Sequence, residues 1–205
     1  VLLLHEHLDR LEFSARLLNF PCPREQIETA LRQMANALTS PVSRLRLTLS
    51  RGASSDVFLP PQDAGWFLLT AVEAHEPGTE ERLQGASCVL APNQRCNPLS
   101  HLPQMKRGNY ADCLYAADYA RSKGARDAIF VDADGSILEG SCCNLFAMRG
   151  GELVTPPLGN LVLGGILSQQ IFGAANELGI VAAKREMNLD ELLTAEEVFL
   201  CNSMI

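Results

Sequence analysis

Four short stretches of this chain hold side chains or backbone groups capable of chemistry. The first is Met105-Lys106-Arg107-Gly108-Asn109-Tyr110, where a loop meets a helix. A lone lysine is ordinarily a solvated surface charge. Small and aromatic neighbours leave room to bury the Lys106 amine, and burial disfavours the charged form and makes the amine nucleophilic. The second is Glu139, which follows Ile137-Leu138 in Gly135-Ser136-Ile137-Leu138-Glu139-Gly140-Ser141. It is either a surface glutamate beside a turn or an inward carboxylate that needs a partner, such as a protonated ring nitrogen. The third, Leu163-Gly164-Gly165-Ile166-Leu167-Ser168, opens a helix after two glycines. Free amides with little bulk around them suit an anion, although many helices begin after glycine. The fourth is Asn202-Ser203, which adds a hydroxyl and backbone donors after an apolar run and would by itself be a turn.

The elements that must position these groups are legible from periodicity and punctuation. Val1-Leu4 reads as a strand already under way, and the far end stops just after the apolar run 198–201, so the sequence reads as part of something longer. Segments 8–18 and 25–38 carry apolar residues at helical spacing, bounded by Pro21, Pro23 and Pro41. Leu45, Leu47 and Leu49 alternate with Arg44, Arg46 and Thr48 as a half-buried strand, and 65–73 and 86–91 read as two more. The stretch 92–103, with Pro92, Asn93, Asn97, Pro98 and Pro103, is the expected boundary. Beyond it come a helix at 110–123 and a hairpin turning at Asp132-Ala133-Asp134-Gly135. A second hairpin turns at Gly150-Gly151, a helix covers 165–178, and strands cover 180–183 and 198–201. The expectation is a small α/β unit over 1–91, a connecting loop over 92–103 and a larger unit over 104–205.

Bulk composition narrows the classes. Of 205 residues, 47% are hydrophobic and 20% charged, as in a globular protein with a sizeable core. A net charge of -7 opposes nucleic acid as a partner. No apolar run is long enough to span a membrane. Seven cysteines, without a CxxC pair, suggest neither a disulfide framework nor a metal site, so reduced thiols and a cytoplasmic location are expected.

Order and spacing join the four stretches. Lys106, then Glu139-Gly140 with Asn144-Leu145-Phe146 behind it, then Thr155-Pro156, then the glycine-started helix resembles the class IV aminotransferase family, the fold-type IV PLP enzymes. The resemblance runs from about Glu6 to Ser203, and the Glu-Gly-x-x-x-Asn-Leu-Phe element is its most specific part. Glu6-His7-Leu8-Asp9-Arg10-Leu11 is similar to an early family element whose arginine clamps the cofactor phosphate; without the resemblance Arg10 would be a helix-surface arginine.

The resemblance implies an α+β, two-domain fold, with a small α/β N-terminal domain lacking its first strands and a larger C-terminal domain built on a mostly antiparallel, barrel-like sheet. It implies pyridoxal 5'-phosphate (PLP) held as a Schiff base on Lys106, which also moves the proton at Cα. Glu139 would keep the pyridine nitrogen protonated. Arg10, Gly165, the amides of Ile166 and Leu167, Asn202 and Ser203 would surround the phosphate. Leu167 stands where the family usually has threonine, which removes a hydroxyl contact. A homodimer acting on a small amino acid-like substrate is implied as well.

Within the family, Asp56 in Ala53-Ser54-Ser55-Asp56-Val57-Phe58 replaces the arginine trap of D-amino acid aminotransferases and would repel a substrate carboxylate. The Lys106-x-x-Asn109 spacing and the ending Cys201-Asn202-Ser203-Met204 resemble aminodeoxychorismate lyases, which release 4-aminobenzoate and pyruvate for folate synthesis. That lyase is the first expectation and a branched-chain or other class IV aminotransferase the alternative. An inactive α/β binding protein on the same fold is the rival from another class.

Overall fold

A computed structural model describes residues 1–53, 65–74 and 78–203. The expectation about Asp56 and the last part of the lyase-like ending, Met204, lie outside the described residues. The chain divides into two compact units, Val1–Glu76 and Pro77–Ile205.

In the first unit, helices α1 (Leu4–Leu17) and α2 (Arg24–Ala37) precede strands β1 (Ser43–Ser50) and β2 (Trp66–Glu73). The strands pair antiparallel from Ser43 opposite Glu73 to Ser50 opposite Trp66. Leu45, Leu47, Leu49, Phe67 and Leu69 face inward against Leu4, Leu8, Ile27 and Leu31 of the helices. Val1–Leu4 is not a strand. Leu4 falls on the same stripe as Leu8, Leu11 and Ala15, so it joins α1, while Val1 and Leu2 remain exposed.

The second unit holds α3 (Thr79–Gln84), β3 (Cys88–Leu90), α4 (Ala111–Ser122), β4 (Asp127–Val131), β5 (Ile137–Gly140), β6 (Asn144–Arg149) and β7 (Glu152–Thr155). It continues with α5 (Ile166–Glu177), β8 (Val181–Lys184), α6 (Leu189–Leu193) and β9 (Glu197–Cys201). One sheet runs β3-β4-β5 and the other β8-β7-β6-β9, with the β3-β4 and β7-β8 pairs parallel and the rest antiparallel. Among the described residues these are two open sheets, not a closed barrel.

The division at 76/77 corrects the expected boundary at 92–103. Cys88, Val89 and Leu90 pair in parallel with Asp127, Ala128 and Ile129, and the Ala91 amide donates to the Ile129 carbonyl at 2.8 Å. Residues 78–91 therefore belong with the second unit, and the proline-bearing stretch is the crossover from β3 to α4. A parallel pair requires such a connection.

Both faces of β4 are covered. Ala128 and Phe130 pack on Cys113, Ala116 and Ala120 of α4, while Ile129 joins Ile137, Leu145, Ala147 and Met187 on the other side. A third cluster packs Phe146, Leu153 and Cys201 against α5 through Ala175, Leu167, Ile171 and Phe172. The β6–β7 turn places Gly150 at φ 55 and Gly151 at φ 79, the paired positive values that a two-residue hairpin demands. Two short helices were not foreseen. One of them, α6, is fixed by a capping box in which Asn188 accepts from the Glu191 amide and Glu191 from the Asn188 amide.

Candidate functional site

All four residues of β5 are buried, which places the Glu139 carboxylate inside the second unit. A buried carboxylate must be hydrogen-bonded or neutralised. Glu139 Oε1 accepts from Arg95 Nε at 2.9 Å, and Oε2 accepts from the Leu163 amide at 3.0 Å and Asn144 Nδ2 at 3.4 Å. Three of the four lone-pair positions of an ionised carboxylate are thus taken, and the one left lies on Oε1. Burial pushes the Glu139 carboxyl above the ordinary carboxylate range, against the pull of the Arg95 charge, the Leu163 and Arg95 hydrogen bonds and the Lys106 charge.

Arg95 is the functional residue that the sequence reading missed. Its guanidinium bridges Glu139 and, through Nη1 at 2.5 Å, Asp112 Oδ2. The three side chains are 7%, 6% and 9% exposed. Asp112 sits in the first turn of α4, where the helix dipole favours a carboxylate, and takes the Cys96 amide at 3.1 Å. Burial raises its pKa, but the Cys96 amide and the hydrogen bond and charge of Arg95 bring it net below the usual value.

Asn144, the polar member of the most specific sequence element, is the second omission. At the start of β6, its Nδ2 also donates to the Leu163 carbonyl at 2.9 Å. Glu139 and Asn144 therefore grip both backbone polar groups of Leu163, two residues before Gly165. Gly165 has φ -69 and ψ 137, open to any residue, yet a Cβ there would sit 1.8 Å from Asn144 Oδ1. Glycine is required by space, not by backbone conformation.

The turn between β5 and β6 is set by Asp127. Its buried Oδ1 accepts from the Ala128 amide at 2.8 Å, from the Ser141 amide at 3.0 Å and from the Ser141 hydroxyl. The Gly140 amide closes the turn on the Cys143 carbonyl at 2.8 Å. This turn brings Glu139 and Asn144 onto one partner.

Of the residues singled out in the sequence, Gly165, Ile166 and Leu167 lie at the start of α5. The bond from the Gln169 amide to the Gly165 carbonyl is the helix's first, so the amides of Ile166, Leu167 and Ser168 precede it. Ser168 Oγ, 1% exposed in its residue, has no hydrogen-bond partner. The Leu167 side chain packs into the Phe146 cluster, so only its backbone is free to act.

Lys106 is exposed rather than buried, 5.5 Å from the Tyr110 ring centroid, and its charge is felt at Glu139. The crossover that carries it is pinned by the Gln104 amide on the Gly159 carbonyl at 2.8 Å and by Arg107 on Gln104 Oε1 at 2.9 Å. Asn202 follows β9 beside the start of β6, where Cys201 pairs with Asn144. Its amide reaches the Cys142 carbonyl and Cys143 Sγ, each at 3.3 Å, so it holds the turn. Ser203 next to it is exposed. Arg10 belongs to the first unit, half-buried on α1.

Together the second unit offers a held carboxylate with one vacant acceptor position, an accessible amine and an anion-receptive helix start with an orphaned hydroxyl. Among the described residues no group of three or more His, Cys, Asp or Glu is placed to hold a metal, and no helix is long and apolar enough to cross a membrane.

Comparison with known proteins gives a consistent picture. The family model described as amino-transferase class IV matches residues 1–205. The branched-chain-amino-acid aminotransferase of Escherichia coli (strain K12) is 30% identical over 210 residues, covering 95% of this chain and 65% of its own length. The solved Escherichia coli branched-chain amino acid aminotransferase superposes with a TM-score of 0.88 at 28% identity, covering 98% of this chain and 68% of that one. A Legionella pneumophila protein assigned as a 4-amino-4-deoxychorismate lyase has a TM-score of 0.80 at 23% identity, covering 98% of this chain and 74% of that one. The chain thus spans about two thirds of the length of these aminotransferases.

Proposed function

Because the chain belongs to the class IV aminotransferase family, we propose that it binds PLP on Lys106 and transfers the amino group of an amino acid to a 2-oxo acid. The observation that carries this is the buried Glu139, held by Arg95, Asn144 and the Leu163 amide with one acceptor position left on Oε1. A neutral or anionic ring atom gains nothing there, whereas a protonated pyridine nitrogen fills the position and neutralises the charge. PLP, when bound, supplies the electron sink that lets a bond at the substrate's Cα break.

The chain's own residues do the rest. Lys106, exposed and without a carboxylate partner among the described residues, is the amine available to the cofactor's carbonyl carbon. Once free, it would take the proton from the substrate's Cα and deliver it to the carbon that began as the cofactor's carbonyl, the shift that amino transfer requires. Within the second unit, the amides of Ile166 and Leu167, Ser203 and the orphaned Ser168 hydroxyl hold the phosphate. Gly165 leaves the space in which Asn144 lies, and Asn202 holds the turn behind Glu139.

An aminotransferase now stands ahead of the lyase expected first from sequence. The relatives at 28–30% identity are aminotransferases of branched-chain amino acids, while the lyase neighbour, at 23%, speaks only to the fold. The Lys106-x-x-Asn109 spacing keeps the lyase as a second reading.

The test uses the fact that the chain has three lysines, Lys106, Lys123 and Lys184. Borohydride added to the protein with PLP fixes the cofactor on one peptide, expected to be that of Lys106 and lost in Lys106→Ala. Fixation on Lys123 or Lys184, or none, refutes the proposal. Amino transfer from valine or leucine to 2-oxoglutarate, measured beside 4-aminobenzoate release from 4-amino-4-deoxychorismate, then separates the two activities.

A further inference from the structure

Arg95 stands between the buried carboxylate of Glu139 and the largely covered carboxylate of Asp112. Asp112 has no part in the chemistry assigned above, yet it is held as firmly as Glu139. Its Oδ2 takes Arg95 Nη1 and the Cys96 amide, and Arg107 Nη2 lies 3.7 Å away at the more exposed rim. A buried carboxylate costs desolvation free energy, so its place opposite the side of Arg95 that faces Glu139 calls for an electrostatic reason.

We propose that Asp112 is a positioning residue that holds part of the Arg95 charge away from Glu139, so that Glu139 keeps enough negative charge to retain a protonated ring nitrogen. This rests on the PLP reading and adds to it a residue that never touches the ring. Without Asp112, Arg95 serves Glu139 alone, and the pair is neutral before any cofactor arrives. A cationic nitrogen then meets Arg95 and Arg107 with one carboxylate among them. Whichever of the neighbouring charges are counted, losing Asp112 makes the site one unit more positive. The buried thiol of Cys113, pushed up to about 12 chiefly by burial, stays neutral and does not compensate.

The sign distinguishes this role from a purely structural one. The experiment measures binding of two aldehydes to the protein: PLP, and its analogue in which C–H replaces the ring nitrogen. Both use the same lysine and phosphate contacts, so local distortion weakens them alike. Asp112→Asn is expected to raise the Kd for PLP about tenfold, or 1.4 kcal/mol, while the Kd for the carbon analogue stays within about twofold. Asp112→Glu restores the preference for PLP. Arg107→Gln, which removes a positive charge from the same cluster, shifts the ratio a few-fold in the opposite direction and supplies the reading even where Asp112→Asn does not fold. Equal weakening of both aldehydes by Asp112→Asn, or an unchanged ratio in both variants, overturns the inference and leaves the cofactor assignment standing. Failure of the wild-type protein to bind either aldehyde overturns the cofactor assignment and the inference with it.

Discussion

Replacing Gly165 by Ala adds one methyl group at the point where Asn144 and the start of α5 meet. With φ -69 and ψ 137, alanine suits the backbone and by itself would gain about 0.4–1 kcal/mol through the unfolded chain. The obstacle is Asn144 Oδ1, 1.8 Å from the new Cβ, which must retreat by about 1.6 Å to reach the 3.4 Å of ordinary contact. The amide cannot do so and still donate to the Leu163 carbonyl at 2.9 Å and to Glu139. Two hydrogen bonds worth about 1 kcal/mol each are lost, and a buried carbonyl or amide left unsatisfied adds about 1–3 kcal/mol. After the alanine gain, the net cost is about 2–4.5 kcal/mol, or roughly 7–17 °C in Tm for a unit of this size.

The same displacement frees Glu139 on one side, so PLP affinity falls together with stability. Thermal melting and PLP titration read the two effects. The decisive comparison is a double-mutant cycle with Asn144→Ala, which removes the obstructing amide. In that background Gly165→Ala should cost nothing, giving a coupling of about 2 kcal/mol or more. An equal cost in both backgrounds would refute the steric argument.

Two further outcomes follow from the same network and its surroundings. Arg95→Met leaves the buried Glu139 carboxylate without its cation and should lower stability by about 3–5 kcal/mol in urea unfolding; a loss below about 1 kcal/mol would show that water reaches the acid. Cys113 and Cys201, buried and raised to about 12 and about 11, should resist iodoacetamide at pH 8 in the native protein, while exposed Cys96 and Cys142 react. Mass mapping that finds Cys113 modified as fast as Cys142 would contradict that burial.

What the sequence made legible depended on whether a residue's neighbours shared its role. The stripes of α1, α2, α4 and α5 and the two glycine-bearing hairpins stand out because several positions repeat one periodicity. Glu139 and the start of α5 stand out because each carries a local pattern. Arg95 has none. It lies in a stretch of Pro92, Asn93, Asn97 and Pro98 that reads as a loop, and its partners are 17 and 44 residues away. The available signal was Glu139 after the apolar pair Ile137-Leu138, since a charge in a buried strand requires donors nearby. Val1–Leu4 misled for the opposite reason, since a short apolar run carries both periods until Leu8 and Leu11 decide between them. The boundary at 92–103 failed because punctuation marks any crossover, including one inside a parallel strand pair.

The grip on Leu163 has a consequence for specificity. Glu139 takes its amide and Asn144 its carbonyl, so the acid proposed to meet the ring nitrogen and the helix start proposed to take the phosphate are fixed to one peptide segment. Those two points set the distance along one edge of the cofactor ring, and a change that alters one displaces the other. Selection for a different substrate therefore gains nothing by changing this network, because every PLP reaction at this ring needs the same spacing. Residues that decide between amino transfer and elimination must instead act where the network does not reach, on the side of the ring that Lys106 attacks. On the PLP reading, the segment from Lys106 to Asn109 and Tyr110 would lie on that side, since Lys106 carries it. Lengthening it by one glycine should change the ratio of the two activities while leaving the Kd for PLP within a few-fold.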